Sequence, residues 1–164
     1  MILGIDPSGN FDEGKGTTGW CLLEPGTTNI PEAGEISAKD FPAVYNYWQQ
    51  HLSLIIHSRP KHISMEDYLL YADKSRTQIN SRFETVQLIG VIKHHCWQSG
   101  VKLHIRNAGQ VKKRWSNKIL LHKGYIVHCG RGYATASSPT VKISKHTLNA
   151  IRHAVHYDVL ESGD

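Results

Sequence analysis

Two acidic residues that each end a short apolar segment are the first candidates for chemistry. Asp6 ends the segment ILGID, and Glu66 ends the segment HISME. Both segments are typical of β-strands, and residues at the carboxyl ends of strands in an α/β sheet face its functional crevice. If the two strands are neighbours, the carboxylates converge as hard oxygen ligands of the kind that hold Mg²⁺ or Mn²⁺. We therefore expect Asp6 and Glu66 to serve a two-metal site that hydrolyses a phosphodiester.

Each carboxylate also has a plainer explanation when it is taken alone. Asp6 precedes Pro7 in the turn sequence DPSG, and Glu66 is explained equally well as a surface acid at a strand end. The functional interpretation depends on both residues together, on a chain with a strongly basic half.

A histidine and an asparagine near the C-terminus complete the candidate site. His146 and Asn149 are three positions apart in an apolar pattern that predicts a helix, so they share one face. They fall in its first two turns, where the helix dipole favours anions. A histidine there can bind a metal or move a proton, although a partly exposed histidine in a histidine-rich chain is the alternative. Asn149 supplies no charge.

The charges of the 164-residue chain are strongly segregated. Residues 1–84 carry a net charge of −4, residues 85–157 carry 12 Lys or Arg and no Asp or Glu, and residues 158–164 carry −3. A folded chain with this distribution is expected to present a surface to a polyanion, and nucleic acid is the favoured partner. A solvated basic face without a partner is the alternative.

Basic and aromatic side chains near the two halves of the site are candidate DNA contacts. Those expected to bind phosphates are Lys74, Arg76, Arg82, Lys112, Lys113, Arg114 and Lys118. Those able to stack on unpaired bases are Tyr68, Tyr71 and Trp115. Packing inside the protein is an equally good explanation of Tyr68 and Tyr71, and a better one of Trp115.

Composition excludes several other classes of protein. The sequence has no long uncharged apolar stretch for a membrane span and no secretory signal, and its three cysteines form no CxxC pair. We therefore expect a single domain, residues 1–164, in a reducing cytoplasm. The segment GKGTT lacks the spacing of a phosphate-binding loop and joins no strand to a helix, which excludes nucleotide binding through that motif.

The elements that must position these residues alternate between strands and helices. The patterns predict strands at 2–6, 17–23, 34–37, 62–66 and 101–106. They predict a helix that begins at Asp40 with Val44, Trp48, Leu52 and Ile55 facing inward, and a long helix at 79–97 with Ile79, Phe83, Val86, Ile89, Ile92 and Cys96 on one stripe. A short basic helix follows at 108–115, then a loop at 124–143, and a last helix that Ser144 caps, with Leu148, Ile151 and Val155 inward. This order predicts one α/β domain with a mixed sheet.

Several motifs in this order resemble those of RuvC-type Holliday-junction resolvases. They are ILGIDPS with TTGWCLLE, MEDYLLY, QLIGVI, NAGQVKKRW and HTLNAIRHAVHY, and they extend over residues 1–157. The resemblance implies an RNase H-like fold, a five-stranded mixed sheet flanked by helices. The small size and short loops are more similar to a bacteriophage member than to the bacterial chromosomal enzyme.

The same resemblance implies a metal-dependent endonuclease that cleaves four-way DNA junctions. Asp6 would bridge two Mg²⁺ or Mn²⁺ ions, Glu66 would bind one of them, and His146 matches the first of two metal-site residues on the last helix. The two-fold symmetry of the junction implies a homodimer. The helix at 79–97 is either its interface or an ordinary core helix.

The chain departs from the family pattern at two places. Asn149 stands where the family has Asp, which removes a negative charge from a divalent-metal site. We hypothesise that Asn149 replaces an original Asp and that this form binds junctions but cleaves them poorly. The loop at 9–16 is longer than expected and acidic at Asp12 and Glu13, so it folds either near the site or against the basic face.

Three alternative functions stay open from the sequence. The chain could be a catalytically silent junction-binding protein with a natural Asn149, or an RNase H-like nuclease that acts on flaps or RNA–DNA hybrids. The third is a zinc module built from His94, His95, Cys96, His128 and Cys129. It is disfavoured because adjacent helical residues diverge by about 100° and rarely bind the same tetrahedral ion.

Overall fold

A computed structural model describes residues 1–68 and 83–160 of the chain. Its strands are β1 (Ile2–Asp6), β2 (Thr17–Leu23), β3 (Glu32–Ser37), β4 (His62–Glu66), β5 (Lys102–Arg106), β6 (Ile126–Cys129) and β7 (Gly132–Thr135). Its α-helices are α1 (Val44–Ser58), α2 (Glu84–Ser99), α3 (Ala108–Arg114), α4 (Asn117–His122) and α5 (Lys145–Leu160), and a 3₁₀ turn covers Ala38–Asp40. Within these two ranges, no helix is long and apolar enough to cross a bilayer.

Five strands form one mixed sheet in the order β3-β2-β1-β4-β5. β2 is antiparallel to both β1 and β3, whereas β4 is parallel to β1 and β5. Parallel neighbours need a crossover, which α1 provides between β3 and β4 and α2 provides between β4 and β5. The predicted α/β class and mixed five-stranded sheet are confirmed.

Apolar side chains cover both faces of this sheet and form two cores. On one face, Leu3 and Ile5 of β1 join Ile63 and Met65 of β4 in a core with α1 and α2. On the other face, Ile2 of β1 joins a core with α3, α4 and α5. Because successive strand residues point to opposite faces, Asp6 and Glu66 fall on the face of Ile2, toward α5.

Two glycines let α5 lie directly on the sheet. A Cβ atom on Gly4 would lie 2.2 Å from the backbone oxygen of Ala150, and one on Gly19 would lie 2.1 Å from the backbone carbon of His146. No larger residue fits at either position without moving the helix. The backbone of α5 is therefore seated at a fixed height above β1 and β2, with its first turns over the carboxyl end of β1.

The predicted start of α5 is confirmed. Ser144 Oγ accepts a hydrogen bond from the backbone N–H of Thr147 over 3.1 Å, as a helix cap does. Leu148, Ile151 and Val155 are buried, as predicted.

The prediction of a loop at 124–143 is wrong, because this segment contains the hairpin of β6 and β7. Cys129 pairs with Gly132, which leaves a two-residue turn whose first residue, Gly130, has φ of 56°. A glycine with positive φ at this position is typical of a tight hairpin turn. Strands of four residues are too short to show a clear alternation of apolar and polar side chains.

Two predictions about helices are also wrong. Asp40 does not cap α1, because Phe41 precedes Pro42 and is held in an extended conformation with φ of −126° and ψ of 139°. The predicted helix 79–97 does not include Phe83, which precedes α2 with φ of 49°. Phe83 and Val86, both predicted to face inward, are exposed, while Leu88, Ile89, Ile92 and Cys96 are buried. Ile79 lies outside the described residues.

The acidic loop at 9–16 packs against the N-terminus of α2. The backbone N–H of Gly9 donates to Thr85 Oγ1 over 3.0 Å, and the N–H of Asp12 donates to Glu84 Oε1 over 3.4 Å. Glu13 forms an exposed ion pair with Lys15 at 3.0 Å. The loop is thereby attached to the first turn of α2, at the boundary between the acidic half and the basic segment.

Candidate active site at the carboxyl ends of β1 and β4

The candidate site lies where two parallel strands end side by side. Ile5 of β1 pairs with Met65 of β4, so the next residues, Asp6 and Glu66, are neighbours at the same edge of the sheet. The first two turns of α5 place His146 and Asn149 above Asp6. The four residues that the sequence singled out are thus brought together.

Asp6 is almost fully buried and accepts hydrogen bonds from α5. Its Oδ2 lies 3.0 Å from His146 Nδ1, and the same oxygen accepts a hydrogen bond from Asn149 Nδ2 over 3.2 Å. Burial, a hydrogen bond with Glu66 and the charge of Glu66 raise the pKa of Asp6 to about 6, against the opposing effect of the two α5 donors.

Glu66 has the opposite shift. Burial raises its pKa, but the neighbouring His153, a hydrogen bond from Asp6 and the charge of Lys112 outweigh burial and lower the pKa to about 2. The ammonium of Lys112 lies 3.6 Å from Glu66 Oε2. The two carboxyls therefore behave as a pair in which Asp6 keeps a proton longer than Glu66 as the pH rises.

His153 is a member of the site that the sequence did not single out. Its Nε2 atom lies 3.8 Å from Glu66 Oε2, which is too long for a hydrogen bond. Among the described residues, neither ring nitrogen of His153 nor Glu66 Oε2 has a hydrogen-bond partner, although all three atoms are buried. Burial is the main cause that lowers the pKa of His153. Its spacing of seven residues from His146, two helical turns, is the signal that places it on the same face.

Arg152 is a second residue that sequence reasoning missed. Its guanidinium donates one hydrogen bond to Asn149 Oδ1, one to Asn117 Oδ1 and one, from Nε, to the backbone carbonyl of Trp115 over 3.0 Å. The bonds to Asn117 and Trp115 join α5 to the junction between α3 and α4. The sequence offers no signal for these two bonds, because their partners lie about 35 residues away along the chain.

The candidate DNA contacts fall into three groups. Lys112, Lys113, Arg114 and Lys118 are exposed on α3 and α4, with Lys112 reaching Glu66. Tyr68 is half-buried and packs in part against the core of α1 and α2. Trp115 does not present a stacking surface, because it is buried in the core beneath α5. The candidates that lie outside the described residues are Tyr71, Lys74, Arg76 and Arg82.

A groove of about 570 Å³ opens beside Asn149, between α3, α5 and the β6–β7 hairpin. The cationic side chains of Lys112, Lys145 and Arg152 line it, together with Tyr133 of the hairpin. A groove with three cations at the edge of the carboxylate pair is suited to a phosphate-bearing ligand.

The donor set fits a divalent cation at the two carboxylates. In the ranges 1–68 and 83–160, no group of three or more His, Cys, Asp or Glu side chains is arranged to hold a metal ion. Asp6 and Glu66 nevertheless present paired hard oxygens, and the buried Oε2 of Glu66 has no hydrogen-bond partner among the described residues. A cation there would offset the burial and the repulsion from Glu66 that raise the pKa of Asp6.

The zinc module is contradicted. Cys96 is buried in the core of α1 and α2, whereas Cys129 lies in the β6–β7 hairpin and contacts the backbone of Thr140. His128 packs against Tyr133 within that hairpin. The residues proposed for one zinc ion do not form a metal-binding group.

The fold is similar to that of solved RuvC structures. The chain is similar to a Thermus thermophilus RuvC in complex with a Holliday junction substrate, with a TM-score of 0.66 and 14% identity over 95% of this chain and 90% of that chain. It is also similar to a Thermus thermophilus RuvC structure, with a TM-score of 0.61 and 15% identity over 95% of this chain and 92% of the other. Neither a protein-family model nor a curated protein sequence matches the chain. The chain therefore has a RuvC-like fold, an α/β fold of the RNase H-like type.

Proposed function

We propose that the protein is a metal-dependent endonuclease that cleaves four-way DNA junctions. The observation that carries the proposal is the pairing of Asp6 with Glu66 at the ends of two parallel strands, beside a groove lined by three cations. The similar Thermus RuvC was solved with a Holliday junction substrate, which supports branched DNA as the substrate.

The chain's own residues have separable tasks in phosphodiester hydrolysis. Asp6 and Glu66 would hold Mg²⁺ or Mn²⁺, which would supply a Lewis acid and a more acidic bound water. His146, hydrogen-bonded to Asp6 and half exposed, is placed to orient water or move a proton at the mouth of the site. Lys112 provides a fixed positive charge beside Glu66, where the negatively charged phosphate would approach.

The exposed lysines and arginines of α3 and α4 provide affinity for the DNA backbone. Lys113, Arg114 and Lys118 have no Asp or Glu near them in sequence, because residues 85–157 contain none. The change Lys113→Ala should reduce the slope of log binding constant against log salt concentration by about 0.9 on duplex arms. An unchanged slope would place the DNA elsewhere.

A homodimer is the proposed assembly, with α2 at its interface. One side of α2 is in the core, while its exposed side carries Phe83, Val86 and Trp97, with Trp97 77% exposed. Apolar side chains of this size are typical of an interface. Analytical ultracentrifugation of the chain and of Trp97→Glu tests this, and a monomer in both forms would contradict the dimer.

The uncharged side chain at position 149 favours a second candidate function, in which the protein binds junctions without cutting them. The decisive experiment measures binding and cleavage of a mobile four-way junction with Mg²⁺ and Mn²⁺, for the chain and for Asn149→Asp. We expect both forms to bind and the Asp form to cleave faster.

The other outcomes separate the alternatives. Tight junction binding with no cleavage by either form would favour the silent binding protein. Preferential cleavage of a flap or an RNA–DNA hybrid would favour a different RNase H-like nuclease. Equal cleavage by both forms would refute the hypothesis that Asn149 impairs the site.

A further inference from the structure

We propose that this chain holds one divalent cation, at Asp6 and Glu66, and that Asn149 and Arg152 together exclude a second one. The inference rests on the proposed nuclease function and specifies the metal content of the same site. Its basis is the hydrogen bonding on the α5 side of Asp6, where a carboxylate at position 149 would otherwise face Asp6.

The orientation of the Asn149 amide follows from its two partners. A guanidinium can only donate hydrogen bonds, so the atom that faces Arg152 is the amide oxygen. The NH₂ group is therefore turned toward Asp6 and donates to its Oδ2. A donating NH₂ group has no lone pair for a cation, and the amide oxygen points at a positive charge. Asn149 offers no ligand atom on the side of Asp6.

Arg152 keeps the amide in this orientation. Its other two hydrogen bonds, to Asn117 and to the backbone of Trp115, hold the guanidinium against the α3–α4 junction. A reversed amide would place N–H donors against a group that consists only of donors. The orientation is thus set by contacts that do not involve Asp6 at all.

The Asp6 oxygen on this side is also already occupied. Oδ2 accepts the hydrogen bond from Asn149 and is in hydrogen-bonding contact with His146 Nδ1. A second cation would have to displace both contacts. The first cation, between Asp6 and Glu66, would displace only the hydrogen bond between the two carboxyls, and it would meet Glu66 Oε2, which has no hydrogen-bond partner within the described part of the chain.

The fixed charges lead to the same result. Asp6 and Glu66 together bring two negative charges when ionised, and Lys112 and Arg152 bring two positive ones to the edge of the same site. One divalent cation is bound by the carboxylates directly, but it leaves these groups with a net positive charge, which repels a second cation. An Asp at position 149 would pair with Arg152 and reduce that net positive charge.

The experiment counts Mn²⁺ bound per chain, by calorimetric titration and by electron paramagnetic resonance, in the chain, Asn149→Asp and Asn117→Asp. We expect one ion in the chain and two in Asn149→Asp. Asn117→Asp is the matched control, since it gives the same guanidinium a carboxylate partner that does not contact Asp6. It should still bind one ion.

Thermal unfolding with and without Mn²⁺ provides the second measurement. Mn²⁺ should raise the melting temperature of Asn149→Asp more than that of the unchanged chain. The reason is that bound Mn²⁺ reduces the repulsion among three carboxylates in the variant and between only two in the unchanged chain. The change Asn149→Ala should keep one ion with an affinity within about three-fold of the chain's, as expected for a residue that is not a ligand.

Two ions in the unchanged chain, or two in Asn117→Asp, would overturn this inference and leave the nuclease proposal intact. A ten-fold weaker affinity in Asn149→Ala would also overturn it, since Asn149 would then be a ligand. Absence of Mn²⁺ binding in every form, together with absence of junction cleavage, would instead refute the proposed function itself.

Discussion

Polar side chains of β4 and α5 are in hydrogen-bonding contact at one end of the layer that these two elements form, and they are not at the other end. At the amino end of β4, His62 Nδ1 lies 2.7 Å from the hydroxyl of Tyr157 and 3.3 Å from His104 Nε2. The rings of His62 and Tyr157 stack with centroids 4.8 Å apart. At the carboxyl end, four residues later on the strand and four earlier on the helix, Glu66 and His153 face each other without a hydrogen bond.

The difference separates structural polar groups from functional ones. Paired groups such as His62 and Tyr157 contribute about 1 kcal/mol per hydrogen bond to folding. Buried groups without a hydrogen-bond partner cost a similar amount or more, and a bound ion or water is one explanation for such groups in a native protein. The carboxyl end of β4 therefore carries a cost in stability that the amino end does not.

The largest expected effect comes from removing the charge of Asp6. Asp6→Asn should reduce junction cleavage by about 10³-fold, because it weakens cation binding where the phosphate is activated, and should leave junction binding within about three-fold. Single-turnover cleavage and a gel-shift titration measure the two quantities. Glu13→Gln, an equal change of charge on the exposed loop, is the control, and cleavage within ten-fold of the chain for Asp6→Asn would contradict the assignment.

His153→Leu should separate activity from stability. Cleavage should fall by about 10- to 100-fold, as for a residue that orients a metal ligand, while the free energy of unfolding stays the same or rises by about 1 kcal/mol. The matched control is His51→Leu, since His51 is equally buried but hydrogen-bonded to Tyr47 and Thr18. His51→Leu should lose about 2 kcal/mol. If His153→Leu destabilised the chain as much, the two buried histidines would have the same role.

The pH dependence of stability should differ between the chain and Asp6→Asn when divalent cations are chelated. The pKa of Asp6 is raised from 3.8 to about 6, so the folded protein binds this proton more tightly than the unfolded chain does. Stability should therefore decrease as the pH rises from about 4 to 6, by on the order of 2 kcal/mol.

Glu66 has the opposite effect at lower pH. Its pKa is lowered from 4.5 to about 2, so its stabilising contribution is lost as the pH falls through that interval. Urea unfolding in chelator between pH 3 and 8 should give a maximum near pH 4 for the chain, and a smaller decrease above it for Asp6→Asn. Parallel curves would show that the pKa of Asp6 is not raised in the folded protein.

The smallest effect is expected at the amino end of β4. Tyr157→Phe removes the hydroxyl that contacts His62 and should lower the free energy of unfolding by about 1 kcal/mol. Cleavage should stay within about two-fold, because this end of the layer is remote from Asp6. A ten-fold loss of cleavage would show that the two ends are coupled.

Much of the scaffold was predictable from the sequence because its strands and long helices carry strong apolar patterns. β1, β2 and β4 begin and end at the predicted residues. The placement of Asp6 and Glu66 followed from a single condition, that their strands are neighbours, which the sheet order satisfies. His146 and Asn149 followed from helical spacing together with the resemblance.

The parts that were not predictable depend on contacts between distant segments. The spacing of His153 was visible, but its significance depends on Glu66, which is 87 positions away in the sequence. The role of Arg152 depends on a backbone carbonyl and on the amide of Asn117, and neither has a residue pattern. The β6–β7 hairpin was missed because its strands are too short to show periodicity. The start of α1 was missed because Pro42 holds the preceding Phe41 in an extended conformation, which a cap at Asp40 does not allow.

The two glycines beneath α5 have a consequence for which substitutions the fold accommodates. Gly4 and Gly19 fix the backbone of this helix against the sheet through main-chain contact, which does not depend on the side chains at 146, 149 or 153. Substitutions at those positions, such as Asn149→Asp, therefore leave this main-chain contact in place, so the chemistry of the site can change while the scaffold is kept.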